Sequence, residues 1–426
     1  MTDMKRCLLA FTVTLAVSSA ATAQTTRQEM YDDPEQTSGL YFVYPEAPGV
    51  QTRAPKGFKP FYISHFSRHG SRWLADPDDY RIPVQVLRSA DSAGVLTPLG
   101  QDALRRLEIV YEDARQREGD LSPLGVRQHR GISERMYSCY RQAFSKGAEV
   151  TARSTQVPRC MISMDVFCER LKELEPGLCI SRDASVRDQW YLYSGNQEYR
   201  EYVASHDIGF GSYRASTEHP DRFVASLFSS QEFIDSHVDK KDLYKRMFAI
   251  AQVMPNTELD IRFYDLFRPE EMFDMWQGHN AWFYTVAGPN PLAGEMAYRK
   301  SLGTLKQILD TAEDYIDNGR HGATLRFSHD AYLVPLCTTL RLDDCMGQAS
   351  DPRDVHKVWC CHKISPMAGN VQIVFFRNRA GEVILKFLHN EVEVGIPVET
   401  DIYPFYRWED VKKYYQDTYD YENVRL

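Results

Sequence analysis

The chain has 426 residues, 43% of them hydrophobic, and a formal net charge of −9 at pH 7. This length can bury one large core with an insertion, or two domains. The acidic balance disfavours nucleic acid or an anionic membrane as the main partner. It does not exclude a phosphorylated small molecule, because screening limits exposed charges to about 10 Å and a few arginines in a cleft decide local affinity.

The amino terminus is typical of a secretory signal peptide. Lys5 and Arg6 precede an apolar stretch, and Ala21-Thr22-Ala23 forms a small-residue cleavage site. The apolar stretch is shorter than the roughly 20 residues of a membrane-spanning helix, and no later segment comes close. We therefore expect residues 1–23 to be removed and the mature protein to be periplasmic or secreted, with no membrane span.

Eight cysteines remain after this cleavage, an even number for a chain exported to an oxidising space. We expect some disulfides, but eight thiols allow about 105 complete pairings. Only a local loop between Cys337 and Cys345 is predicted. The spacing fits no metal pattern, because Cys360 and Cys361 are adjacent and no C-x-x-C pair occurs. We therefore expect no metal and no other cofactor.

The predicted elements of the first half surround a basic turn. A strand over 58–66, rich in aromatic and β-branched residues, runs directly into Ser67-Arg68-His69-Gly70. Two helices are predicted to start at Pro98 and Pro123, each after a capping hydroxyl. Their apolar stripes indicate core faces. A short strand-like run over 149–152 leads into Arg153-Ser154-Thr155.

The second half begins with scattered aromatic residues among charges over 185–284, which we interpret as a mostly helical insertion. Helical signals resume over 295–317, and a strand over 322–328 ends at His329-Asp330. A hairpin follows over 371–388. We predict an α/β fold: a core of 24–184 and 285–426, with a mixed central sheet flanked by helices, and a helical cap over 185–284.

The residues best suited to chemistry are Arg68, His69 and Arg72 in the run S-R-H-G-S-R. They follow a strand, where open α/β sheets present ligands. Arginine binds phosphate through planar two-point hydrogen bonds, glycine admits an anion close to the backbone, and neutral imidazole can attack phosphorus. The alternative is an exposed basic turn. His65, in the same strand, is better explained as a core histidine.

A histidine nucleophile needs further positive charge and an acid for the leaving oxygen. Arg153 can supply charge, and His329 with Asp330 can supply charge and a proton. Each signal is weak alone, because such residues are usually solvated surface groups. No glycine loop of the G-x-x-x-x-G-K type occurs, so nucleoside triphosphate chemistry has no support.

Three stretches in this order resemble the histidine acid phosphatases: S-R-H-G-S-R, V-T-A-R-S-T-Q-V-P-R and R-F-S-H-D. The stretch from Gly119 to Arg130 also resembles that family. Stretches from Trp282, Leu325 and Ile364 look most like its multiple inositol polyphosphate phosphatases. One departure concerns the substrate, since that branch typically has His-Ala-Glu where this chain has His329-Asp330-Ala331.

The resemblance implies an α/β core with a mostly helical cap, which agrees with the fold predicted above. It implies that His69 is the nucleophile and Asp330 the proton donor. It also implies that the phosphate is bound by a group of four residues, Arg68, Arg72, Arg153 and His329. The expected function is phosphomonoester hydrolysis through a phosphohistidine, on inositol polyphosphates such as phytate or with broad or sugar-phosphate specificity. The rivals are a binding protein without catalysis and a phosphomutase-like transferase.

Overall fold

The structure, a computed structural model, describes residues 27–45, 49–193, 197–206, 208 and 210–420. The predicted signal peptide lies outside these residues. The strands are β1 Lys59–Arg68, β2 Glu149–Ser154, β3 Cys179–Asp183, β4 Gly322–Ser328, β5 Asn370–Arg377, β6 Val383–His389, β7 Val392–Val394 and β8 Tyr406–Arg407.

The α-helices of the described chain are α1 Arg27–Asp32, α2 Asp78–Ser92, α3 Pro98–Ala114, α4 Pro123–Tyr140, α5 Pro158–Leu174, α6 Gln189–Leu192, α7 Gln197–Ser205, α8 Gly211–Ser216, α9 Pro220–Leu227, α10 Gln231–His237, α11 Lys240–Val253, α12 Pro269–Ala287, α13 Met296–Arg299, α14 Leu302–Asp317, α15 Asp330–Leu340, α16 Val355–Val358, α17 Cys361–Ile364 and α18 Trp408–Thr418. Short 3-10 helices include Pro34–Tyr41 and Asp343–Cys345.

The strands form one mixed sheet in the order β3-β2-β4-β1-β5-β6-β7, with β8 paired to β6. The pairs among β3, β2, β4 and β1 are parallel, and those from β1 to β5 and beyond are antiparallel. This arrangement confirms the predicted α/β fold with a mixed central sheet.

Helices cover both faces of this sheet. Along β1, Tyr62 and Phe66 pack into a cluster with α12, α14 and α15, whereas Ile63 packs with α4 and α5 on the opposite face. This follows from the strand period of two. The sheet is therefore buried on both sides, and ligands can reach it at the edge where the parallel strands end.

A further hydrophobic cluster lies away from the sheet and joins α2 and α3 to α9 and α11. The described part of the segment 185–284 holds helices and 3-10 helices but no strand. Helices from two distant stretches of the chain thus build one helical layer.

The predicted helix starts are confirmed by their caps. The Thr97 hydroxyl accepts a hydrogen bond from the N–H of Gly100 at 3.0 Å, and that of Ser122 accepts one from Gly125 at 3.3 Å. The cysteines differ from the prediction, because all eight beyond the signal region are free thiols. None of the described helices is long and apolar enough to cross a membrane.

Candidate active site

His69 lies directly after β1, at the edge of the sheet where the parallel strands end. Arg68 pairs in register with Ser328, the last residue of β4. The residues that follow, His69 and His329, therefore lie side by side, with ring centroids 5.5 Å apart. The register of two parallel strands thus brings together two motifs that are distant in sequence.

The imidazole of His69 is oriented with one nitrogen free. Nδ1 donates to the carbonyl of Gly70 at 2.9 Å, which leaves the lone pair on Nε2. Burial, followed by the charges of Arg68 and Arg72, lowers the pKa of His69 well below 6.5. At neutral pH the ring is therefore uncharged, the form in which it can attack phosphorus.

Close packing against the start of α4 fixes the loop that carries His69. A Cβ at Gly70 would lie 2.7 Å from the Cα of Gly125, and a Cβ at Gly125 would lie 2.4 Å from the carbonyl oxygen of Ser71. The N–H of Ser71 also donates to Gln128 at 2.8 Å. Both glycines are therefore required by the approach of two backbones.

Arg68 is a fully buried cation at the floor of the site. Its Nη1 donates to the carbonyls of Leu40 and Ser365, each at 2.7 Å. Its Nη2 pairs with a carboxylate oxygen of Asp330 at 2.7 Å. One guanidinium therefore joins the end of β1 to the start of α15.

Two other guanidiniums act on the same imidazole. Arg72 donates to the carbonyl of Trp73 at 2.7 Å and lies 5.3 Å from the ring centre of Tyr41. Arg159 lies in the first turn of α5, and its buried Nε has no hydrogen-bond partner. Arg72 and Arg159 are both among the charges that lower the pKa of His69.

The structure corrects the predicted position of Arg153. This residue is still inside β2, and its guanidinium donates to the carbonyls of Ala152 and Ser181 at 2.9 and 3.0 Å. Its Nε lies 3.5 Å from a carboxylate oxygen of Asp188. The position predicted for Arg153 is taken by Arg159, six residues later, because the chain turns from strand to helix between them.

His329 is held next to His69 by the end of β2. Thr155 Oγ1 lies 3.2 Å from its Nε2, and Cys160 Sγ lies 3.6 Å from the same nitrogen. Burial and then the charge of Arg159 lower the pKa of His329 to about 4. The ring is therefore a neutral hydrogen-bonding group at neutral pH.

Asp330 is the first residue of α15. One carboxylate oxygen accepts the N–H of Ala331 at 2.7 Å, and the other pairs with Arg68. Burial raises the pKa of Asp330, but Arg68 and His329 outweigh it and bring the pKa below its usual value. Without substrate this carboxyl group is therefore ionised.

A cavity of about 330 Å³ lies between the 3-10 helix Pro34–Tyr41 and the helical layer. Tyr41 lines it, and so does His279, whose pKa is influenced by Asp330. Arg214 projects into it from α8 and lies 5.0 Å from the ring centre of Trp282. The cavity therefore approaches Asp330 through His279, and three cationic residues line it: Arg214, Lys245 and Arg246.

No protein-family profile matches the chain, and no curated protein matches it. Solved structures do. The Bifidobacterium longum multiple inositol polyphosphate phosphatase in complex with inositol hexasulfate has a TM-score of 0.74 and 18% identity, covering 88% of this chain and 97% of that one. Its phosphate complex gives the same TM-score and identity over 89% of this chain. The phytase from D. castellii has a TM-score of 0.68 and 14% identity, over 96% and 90% of the two chains.

The chain has the histidine acid phosphatase fold. In this fold the structure brings together five of the six predicted residues, namely Arg68, His69, Arg72, His329 and Asp330. Sequence reasoning missed Arg159, although it lies within the quoted stretch V-T-A-R-S-T-Q-V-P-R. Pro158, a residue suited to the first position of a helix, was the available signal that the strand had already ended.

Proposed function

We propose that the protein is a phosphomonoester hydrolase that transfers the phosphoryl group to Nε2 of His69 and then to water. The observation that carries this proposal is a neutral, oriented imidazole with charges from Arg68, Arg72 and Arg159 acting on it. Such guanidiniums bind the phosphoryl oxygens in the ground state and stabilise the charge of the transition state. A site that only bound phosphate would not need a nucleophile with a free lone pair.

In the proposed first step, Nε2 of His69 attacks phosphorus in line with the departing alkoxide. The arginines and His329 hold the equatorial oxygens, and Asp330 protonates the leaving oxygen. Water then attacks the phosphohistidine while the Asp330 carboxylate accepts its proton. The bond made in the first step is broken in the second, so the enzyme returns to its starting form.

The ionised state of Asp330 in the free protein fits this role. Its low pKa comes mainly from Arg68, and a bound phosphate dianion partly neutralises that charge. Substrate binding should therefore raise the pKa of Asp330 and allow it to take up a proton. This favours an acidic or near-neutral optimum for turnover, because the proton must be available from solvent or from the substrate.

We propose inositol polyphosphates such as phytate as the substrate class. The support is Arg214, whose burial lowers its pKa and which lines the same cavity as His279, a residue under the influence of Asp330. A second phosphate on the same ring would provide its counter-charge. Asp79, Glu218 and Asp242 also line this cavity, although Arg246 pairs with Asp79 and Asp242. The carboxylate of Glu218 favours the alternative of a sugar phosphate with fewer charges.

Substitution of His69 tests the hydrolase. His69→Ala should abolish release of phosphate, and wild-type enzyme quenched in alkali should carry an acid-labile, base-stable phosphohistidine on residue 69. His206→Ala is the matched control, because His206 is exposed near the end of α7 and far from these contacts. Full activity of His69→Ala would refute the proposal, and ligand binding without turnover by the wild type would favour a binding protein.

Substitution of Arg214 tests the substrate class. Arg214→Ala should raise KM for phytate by about 10- to 100-fold, the value of a charge-assisted hydrogen bond, and leave KM for an aryl phosphate unchanged. Arg187→Ala, with a side chain that is 81% exposed, serves as the control. An equal effect on both substrates, or better turnover of a sugar phosphate by wild type, would argue against phytate.

We also propose that the chain is exported, on the basis of residues 1–23. The amino-terminal sequence of protein recovered from the periplasm or medium should start at Gln24. A cytoplasmic protein that starts at Met1 would contradict this.

A further inference from the structure

Three residues with metal-binding side chains meet in the core, away from the phosphate site. Cys337 lies in α15, Cys345 ends the 3-10 helix Asp343–Cys345, and His389 ends β6. They are 0%, 1% and 3% exposed, and one ligand atom from each lies within 4.8 Å of the others. Among the described residues, this is the one such group of three or more.

A fourth ligand type completes the cluster. The carboxylate of Asp344 lies 2.6 Å from Nδ1 of His389 and 3.3 Å from Sγ of Cys345. Sγ of Cys345 lies 3.7 Å from the same Nδ1. In a tetrahedral zinc site, Zn–S of about 2.3 Å and Zn–N of about 2.1 Å imply a sulfur-to-nitrogen distance of about 3.6 Å. The observed sulfur-to-nitrogen distance is close to this value. The Asp344 oxygen now accepts a hydrogen bond from Nδ1 at 2.6 Å, and the two atoms would have to separate to about 3.4 Å to bind one ion.

The opposite nitrogen of His389 is arranged as in a metal ligand. Nε2 donates to the carbonyl of Ile364 at 2.7 Å, which directs Nδ1 towards Asp344 and Cys345. In metal-bound histidines the second ring nitrogen almost always donates to a carboxylate, a backbone carbonyl or water, which fixes the tautomer. Sγ of Cys337, 3.8 Å from Nε2, would have to move towards Nδ1 to complete the set.

We propose that Cys337, Asp344, Cys345 and His389 bind a structural Zn²⁺ ion. Two thiolates, an imidazole and a carboxylate are ligands that zinc accepts together. A disulfide between the two cysteines would use the sulfurs but would not explain why an imidazole and a carboxylate converge on them. The sequence spacing predicted no metal, because the ligands come from three separate elements and no short motif contains them.

The ion would tie α15 to the end of β6 and to the loop between α15 and α16. Because α15 begins with Asp330, the ion would support the element that carries the proposed acid without contacting it. Asp344 is 41% exposed and provides the path from solvent. Before binding, both ring nitrogens of His389 face acceptors, so Nδ1 carries the proton that it donates to Asp344. On binding, the two thiols and Nδ1 release these three protons to solvent, and Nε2 keeps its own.

The test is the metal content of the full-length exported protein, produced in medium with added zinc and measured by plasma mass spectrometry. We expect about one zinc per chain in the wild type and in Cys168→Ser, a control at a buried cysteine outside the cluster. Cys345→Ser and His389→Gln should lose most of the zinc and unfold at lower temperature. Because these variants could fail to fold, the wild type is also loaded with Co²⁺, which should show a thiolate-to-cobalt charge-transfer band.

Wild-type protein without zinc, or zinc retained at full level in Cys345→Ser, would overturn the proposal. A peptide cross-linked through Cys337 and Cys345 in the intact protein would overturn it as well, because it would show a disulfide. The proposed hydrolase is tested separately, since His69→Ala should keep its zinc while losing turnover.

Discussion

Replacement of Arg159 by alanine is expected to remove one of the three guanidiniums from the proposed phosphate site with little effect on folding. Its buried Nε has no hydrogen-bond partner, so its donors remain available for a substrate oxygen. Loss of one such donor typically costs about 10²- to 10³-fold in rate, or about 3 to 4 kcal/mol of transition-state stabilisation. We expect kcat/KM for an aryl phosphate to fall by that factor and Tm to stay unchanged.

Arg153→Ala is the matched control, because this arginine already binds the carbonyl of Ser181 and lies near Asp188. Its kcat/KM should stay within about twofold of wild type, while Tm falls slightly, as for other partly exposed ion pairs. Arg159→Lys should recover part of the activity, since a lysine keeps the charge but not the two-point hydrogen bonds. The reasoning is refuted if Arg153→Ala loses as much activity as Arg159→Ala.

Other substitutions test the acid, the loop and the response to pH. Asp330→Asn should slow turnover of alkyl phosphates by about 10² to 10⁴ but slow an activated aryl phosphate much less, and equal losses would exclude the acid role. Gly70→Ala should cost about 1 to 3 kcal/mol or more in unfolding free energy, measured in urea, because the new Cβ meets the backbone of Gly125; an unchanged midpoint would contradict the packing. His65 and His129 have native pKa values of about 3, caused by burial, against 6.5 when unfolded. The unfolded state therefore takes up protons first, and stability is full above pH 6.5 and falls by about 1.4 kcal/mol per pH unit per histidine as the pH drops towards 3. His65→Leu should remove one of these contributions between pH 6.5 and 4, and an unaltered acid dependence would show that this histidine does not cause it.

The sequence predicted the elements that end at the site more reliably than the direction of individual side chains. β1 and β4 could be predicted because each is mostly a continuous run of apolar residues that ends directly before the catalytic candidates. Such runs are typical of strands buried on both faces, and both strands are buried in this way. The helix starts at Pro98 and Pro123 could be predicted because each is defined by a local hydrogen bond to the capping hydroxyl of the preceding residue. Strand runs and helix caps depend on a few neighbouring residues, so the sequence alone is sufficient to predict them.

Arg153 illustrates a different limit. The resemblance implies an arginine in the site, but the relevant stretch contains two, Arg153 and Arg159, and the motif alone does not choose between them. The choice depends on where β2 ends, since a residue inside the strand points across the sheet and a residue in the first turn of α5 lies beside the loop of His69. The position at which β2 ends therefore decides whether Arg153 or Arg159 lies beside His69.

The groups that hold the site in place were not predictable from local patterns at all. Arg68 is positioned by the carbonyls of Leu40 and Ser365, which belong to opposite ends of the chain and have no side-chain signature. The Ser71 hydroxyl donates to Asn256 in the helical layer, and Asn256 donates in turn to the carbonyl of Tyr41. Backbone carbonyls are present at every residue, so only the fold determines which of them meet Arg68. The cluster of Cys337, Cys345 and His389 left no sequence motif for the same reason. Its residues come from three separate elements, and the topology of the fold brings them together in the core. A spacing motif reveals a metal site only when the ligands lie in one loop.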